Sequence, residues 1–234
     1  MLVSKLNIWP PYLVPSPGSV AKALIDGFSD GSFLLAIRTS LLRLAVGYSI
    51  SIVIGISLGI LLGQLKWLDD TLGSLVLGLQ TLPSVCWLPL AILWFGLNDK
   101  AIIFVVIMGA LLSISISTRF GVNNVSPIYL KTAKTMGAKG LNIYTYVVLP
   151  AILPNVINGM KLGWSFAWRS LMAAELIYLG AGLGNLLQTG RELNDMSLVI
   201  AVMLVIVAIG LLVDKIVFVY FEKRIEEKWG MKNA

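Results

Sequence analysis

Residues 131–154 read KTAKTMGAKGLNIYTYVVLPAILP, a polar, glycine-hinged and proline-closed stretch set between two of the most hydrophobic segments of the chain. Residues 129–136 favour helix, and Gly137 is free to take the left-handed conformation that ends one. A second helical stretch is expected over 141–148, with Pro150 expected to break it. The result is a helix–turn–helix lying along a membrane surface. Leu130, Ala133 and Met136 would form one apolar stripe and Ile143, Tyr144 and Val147 another, with lysines opposite. Such faces fit a docking surface for another protein. A basic amphipathic loop resting on anionic lipid is the plainer alternative.

Outward from this loop the chain is apolar. Of its 234 residues 57% are hydrophobic and 13% charged, and the mean hydropathy is +0.87. A soluble domain carries roughly 25% charge, so these values mark an integral membrane protein in contact with a lipid bilayer. Long apolar runs lie near 34–63, 73–97, 101–120, 153–179 and 197–221. Each is long enough to cross a hydrocarbon core of ~30 Å. The expected fold is all-α, with about five transmembrane helices at ~20 residues per crossing. An external amino-terminal segment (1–33), a membrane domain (34–221, with the cytoplasmic loop at 119–151) and a cytoplasmic tail (222–234) divide the sequence. Residues 1–17 are proline-rich and lack the order of a secretory leader. Ser19 is the expected cap of a short surface helix ending at Phe28, with Val20, Ala23, Leu24 and Phe28 on one face.

Basic residues favour the cytoplasmic ends of spans. If the first run enters from outside, Lys66, Arg119, Lys131, Lys134, Lys139, Lys215, Lys223, Arg224, Lys228 and Lys232 are cytoplasmic. Lys5, Lys22, Arg38, Lys100 and Arg191 remain outside. Topology therefore accounts for the charge of +6, and a nucleic-acid partner is not expected. There is no histidine and one cysteine, Cys86. A metal centre, a disulfide framework or a Ser-His-Asp constellation has no raw material. The chain is not expected to be an enzyme.

Charge inside a span costs about 2.5–3.5 kcal/mol at a helix centre on insertion scales, so each such residue invites a role. Arg43, Lys161, Arg169 and Glu175 are the candidates. Arg169, with Trp164 and Trp168 nearby in sequence, suits a cationic, aromatic-edged path for a small oxyanion, because guanidinium forks match such groups. Pairing of Arg169 with Glu175 or another internal acid is the competing role, and a structural ion pair is the expected role of Arg43. Lys161 is expected to snorkel to the cytoplasmic side. Pro83 and Pro89 must disturb the second run and suggest either a gate or a packing kink. Gly55, Gly59 and Gly63 have the small-xxx-small spacing of closely packed spans. The glycines at 180–184 suggest a tight external turn.

The order Lys131-Thr132-Ala133, three residues, Gly137, nine residues, then Val147-Val148-Leu149-Pro150 resembles the EAA loop of ATP-binding-cassette (ABC) importer permeases. Lys131 and Thr132 stand where the motif has Glu-Ala. TLPSVCWLPLAILWFGL, AWRSLMAAELI, GAGLGNLLQTGRE and the early PSPGSVAKAL are similar to the nitrate, sulfonate, taurine and bicarbonate permeases of that group. The resemblance implies a type I importer of the prokaryotic cytoplasmic membrane. It would contain two permease copies, two cytoplasmic ATPases that bind ATP and Mg, and an external solute-binding protein. In it Lys131, Thr132, Ala133, Gly137, Ala138, Val147, Leu149 and Pro150 would form the ATPase-coupling surface. The chain itself would bind no cofactor, and it has no Gly-x-x-x-x-Gly-Lys-Ser/Thr phosphate loop. A secondary transporter is a rival reading, although no internal repeat is evident. A non-transporting membrane scaffold is another.

Overall fold

The computed structural model describes residues 15–178 and 180–229; the reading of a missing leader, Lys5 and Lys232 fall wholly or largely outside them. Among the described residues every regular element is helical. Helix α1, Pro17–Ser29, begins one turn earlier than expected: Ser16 is the cap, its hydroxyl accepting from the Ser19 amide at 3.1 Å. Pro17 then fills the first helical position, where no N–H is needed. Val20 on α1 is buried, and the helix rests on the last long helix of the chain rather than standing free.

Helix α2, Ser32–Gln64, spans 33 residues. It is followed by a bent pair, α3 (Lys66–Gln80) and α4 (Ser84–Phe95), whose axes meet at 104°. The break is at Pro83, whose ψ of 130° leaves the helical region. Pro89 breaks nothing. A tight turn over Ser84–Trp87 precedes it, and Pro89 occupies the first turn of Leu88–Phe95, where its missing donor would have no partner.

Helix α5, Asp99–Asn123, is the hub. Gly47, Gly55, Gly59 and Gly63 of α2 face Val106, Ile114, Thr118 and Val122 of α5 in turn. Both series ascend, so the two helices run parallel. A Cβ on Gly59 would stand 2.5 Å from the Ser115 carbonyl, which is why the expected small-residue stripe packs backbone against backbone. After α6, Pro127–Thr135, the chain turns into α7, Leu149–Glu175. Gly109, Gly121, Gly159 and Gly163 let α7 lie antiparallel to α5: Gly121 meets Asn155 and Ile152, and Gly163 meets Ile114.

Pro150 does not end the helical stretch before it. Residues Tyr144–Val148 form a wide π-helical turn in which the Leu149 amide reaches the Tyr144 carbonyl, and Pro150 sits in the first turn of α7. The wide turn makes room for the ring and needs no donor from it. Helix α8, Leu183–Glu192, leads to α9, Met196–Val213, which continues through another π turn, Asp214–Phe218, into Val219–Trp229. Contacts of Trp168 with Gly210 and of Trp164 with Phe218 set α9 antiparallel to α7.

Among the described residues α2, α5 and Met196–Arg224 are long and apolar enough to cross a membrane, and the bent pair makes a fourth. Helix α7 is 27 residues long and lies along α5, but it is not in that set.

Candidate functional site

The glycine-hinged loop between α6 and α7 is closed by its own backbone. Helix α6 ends with the Ala138 amide on the Ala133 carbonyl at 2.9 Å and the Gly137 amide on the Lys134 carbonyl at 3.0 Å. This paired termination requires a left-handed residue, and Gly137 has φ +90°. Leu130, Ala133, Ile143 and Val148 turn inward, packing near Val122 and Val125 below the end of α5. Their neighbours turn outward: Met136 is 82% exposed and Tyr146 79%, with Ile128 and Tyr129 also exposed. No atom lies within 4 Å of where a Gly137 side chain would begin. The loop is thus a knuckle, closed by its own backbone, with an uncovered apolar tip. Lys131 and Thr132 sit on the outer side of α6 and are exposed; Val147 and Pro150 are half-buried, and Leu149 is exposed.

At the opposite end of the bundle a charged lock is buried. Glu175 has no exposed surface. It accepts from Ser40 Oγ at 2.7 Å, Arg43 Nη1 at 2.8 Å and the Gly184 amide at 3.1 Å. Arg43 also donates to Asp99 and to the Ala181 carbonyl, both at 2.7 Å, and lies over the Tyr178 ring. A Cβ on Gly182 or Gly184 would collide with Glu175, so those glycines let the turn close on the carboxylate. Arg43 thereby joins α2, α5, α7 and the turn before α8. The acid that answers Arg43 is Glu175, and it takes no contact from Arg169.

Between these ends, the break after α3 opens a cavity of about 350 Å³. Gln80, Pro83, Ser84, Ser113, Phe166 and Arg169 are among its lining residues. Helices α5 and α7 approach here because residue 109 is glycine: a Cβ would strike the Ser170 hydroxyl. The structure therefore separates the residues read as a pathway. Pro83 and Arg169 line the cavity. Trp164 and Trp168 stack on each other with centroids 6.1 Å apart, and Trp164 meets Tyr48 and Phe218 within the helix packing, away from Arg169. Pro89 does not line the cavity, and Arg43 and Glu175 belong to the lock. Lys161 points elsewhere, to Glu222 at 2.9 Å on the last helix.

Sequence reasoning alone misses Ser40, Asp99, Gln80 and Ser113. Hydroxyls and amides carry no periodic signal, and Ser40 is 135 residues from the carboxylate it serves. The pairing of Asp69 on α3 with Arg119 at the end of α5, Nη2 to Oδ2 at 2.8 Å, is equally invisible in the sequence.

Comparison with known proteins places this architecture. Residues 51–227 match the family model described as binding-protein-dependent transport system inner membrane component. The chain is 34% identical over 210 residues to a putative ABC transporter permease protein of Methanocaldococcus jannaschii, covering 88% of this chain and 79% of that one. It is 27% identical over 217 residues to the taurine transport system permease protein of Escherichia coli, with 91% and 79% covered. Further relatives are permease proteins named for nitrate, aliphatic sulfonates and bicarbonate. The inward-facing MetNI methionine ABC transporter has the same fold, with a TM-score of 0.67 at 20% identity, covering 82% of this chain and 97% of its own. The chain belongs to the binding-protein-dependent transport system inner membrane components, the membrane-spanning permease subunits of ABC importers.

Proposed function

We propose that this permease carries a small oxyanion, received from an external binding protein, across a prokaryotic cytoplasmic membrane, and that ATP hydrolysis on a separate cytoplasmic ATPase drives it through the α6–α7 knuckle. Two copies of the chain and two ATPase subunits make up the working unit, with ATP and Mg held by the ATPases alone. The observation that carries the coupling role is the outward apolar tip of the loop, with Met136 82% exposed beside a fixed, left-handed Gly137. The tip points away from the residues packed under α5, so its cover has to come from outside the chain. A groove on a partner would receive it, and closure of the ATPases would pull on α6 and α7. The oxyanion reading rests on the relatives' names and on an unanswered arginine in the cavity.

Co-purification of the chain with its cognate ATPase tests the coupling role. Gly137→Trp fills the tip and strains the backbone, while Met136→Glu charges the tip without touching the turn. The wild type is expected to hold the ATPase and both variants to lose it, with the permease itself still folded by its thermal transition. Equal retention in all three would return the loop to the lipid surface.

A further inference from the structure

We propose that the cavity at the α3–α4 break is an anion-recognition station selective for singly charged oxyanions over zwitterions, with Arg169 as its cationic anchor. The proposal deepens the transport reading and rests on it. Of the three cations that sequence places within spans, Arg43 is matched by Asp99 and Glu175, and Lys161 by Glu222. Arg169 has no carboxylate partner among the described residues. Its Nε donates to the Ser165 carbonyl at 3.1 Å, and the guanidinium lies 4.8 Å from the Phe166 ring centre. Arg169 is exposed, and those two contacts leave its terminal donors for a ligand.

The surroundings complete a match to one negative charge. The lining holds no acid. Gln80 Nε2 lies 3.4 Å from Ser113 Oγ, and Ser84 Oγ lies 2.6 Å from Ser170 Oγ, so hydroxyls and an amide are gathered around the same cavity as the guanidinium. Such groups satisfy the remaining oxygens of a nitrate, bicarbonate or alkanesulfonate. An ammonium on the same ligand would find no carboxylate. A dianion would leave half its charge with no cation beside it. The break at Pro83 makes the station possible: irregular backbone at membrane depth is tolerated where it lines a polar cavity.

The single native cysteine supplies the test. Cys86 is exposed and lies in the Ser84–Trp87 turn, next to the lining residues Ser84 and Val85. The full chain in lipid nanodiscs is labelled with a thiosulfonate reagent bearing an ethylsulfonate tail and with one bearing a quaternary ammonium tail. Each rate is normalised to that of a free thiol in solution. The anionic reagent is expected to be favoured in the wild type. In Arg169→Gln the normalised anionic-to-cationic ratio should fall about tenfold, the lower end of what a focused charge does to local concentration, and Arg169→Lys should restore most of it. Nitrate and methanesulfonate should slow wild-type labelling more than taurine does. An unchanged ratio in Arg169→Gln, or no protection by either anion, overturns the proposal. Labelling needs no nucleotide, ATPase or binding protein, so loss of coupling in the docking experiment leaves this result readable. The converse also holds: an unchanged ratio beside intact ATPase docking removes the anion station alone.

Discussion

Glu175 shows how a charge survives inside a membrane bundle. It is fully buried, yet three donors surround it, one of them an arginine that is shared with a half-exposed aspartate. The sequence made Glu175 conspicuous but left its partner open, because Arg169, six positions away on the same helix, stood closer in the chain than Arg43. Helical geometry argued against the local pair, since positions i and i+6 do not share a face. Only the folded contact of α2 with α7 supplies the answer. The lock yields a prediction about asymmetry. Arg43→Met strands a buried carboxylate and should cost about 3–5 kcal/mol, whereas Asp99→Asn touches a partner that is 58% exposed and should cost no more than ~1 kcal/mol. Adding Glu175→Gln to Arg43→Met should recover part of the loss by removing the unpaired charge. Thermal unfolding of the purified permease checks the series. Equal transitions for Arg43→Met and Asp99→Asn would deny the lock its stabilising role.

Helix contacts were the part of the fold most legible in sequence, and helix irregularities the least. The fourfold spacing of Gly55, Gly59 and Gly63 announced a close approach, and α5 fills it. The break at Pro83 was also foreseeable. The behaviour of the other two prolines was not: whether a proline breaks a helix depends on the residues before it, and Pro89 and Pro150 both enter first turns prepared by a tighter or a wider turn upstream. Nor does any local pattern mark the π turns at Asp69–Gly73, Tyr144–Val148 and Asp214–Phe218. They insert a residue where tertiary packing needs it. Two glycine substitutions separate packing from propensity. Gly59→Ala would press a methyl against the Ser115 carbonyl and Thr118, each 2.5 Å from the new atom, neither of them a flexible chain end. It should cost about 1–3 kcal/mol by overpacking. Gly78 sits in an α3 turn with nothing within 4 Å, so Gly78→Ala should be neutral or stabilising by up to ~1 kcal/mol. Similar effects at both sites, measured by thermal unfolding, would mean that α2 and α5 do not pack at this register.

At the scale of the molecule the helix directions and the charges make one statement. Helices α2 and α5 run parallel, so the bent pair between them must carry the chain back, and α7 and α9 then alternate. This arrangement gathers Lys66, Arg119, Lys131, Lys134 and Lys139 at the end that bears the knuckle, and leaves Lys22, Arg38, Lys100 and Arg191 with the lock. The fold thus sorts the basic residues in the way that orients spans in a membrane. It also puts the knuckle and the buried lock on opposite sides, with the Arg169 cavity between them. If the knuckle takes the ATPase as proposed, α7 is the element between the two, since it follows the knuckle, carries Arg169 and ends at Glu175 of the lock. The orientation is testable without transport. In a Cys86→Ala chain, single cysteines at Met136 and at Leu193, 82% and 69% exposed, report the two ends. A membrane-impermeant maleimide applied to intact cells should label Leu193→Cys and spare Met136→Cys, and inverted vesicles should reverse the pattern. Labelling of both from one side would break the alternation of spans, and labelling of Met136→Cys alone on intact cells would put the knuckle out of reach of a cytoplasmic ATPase.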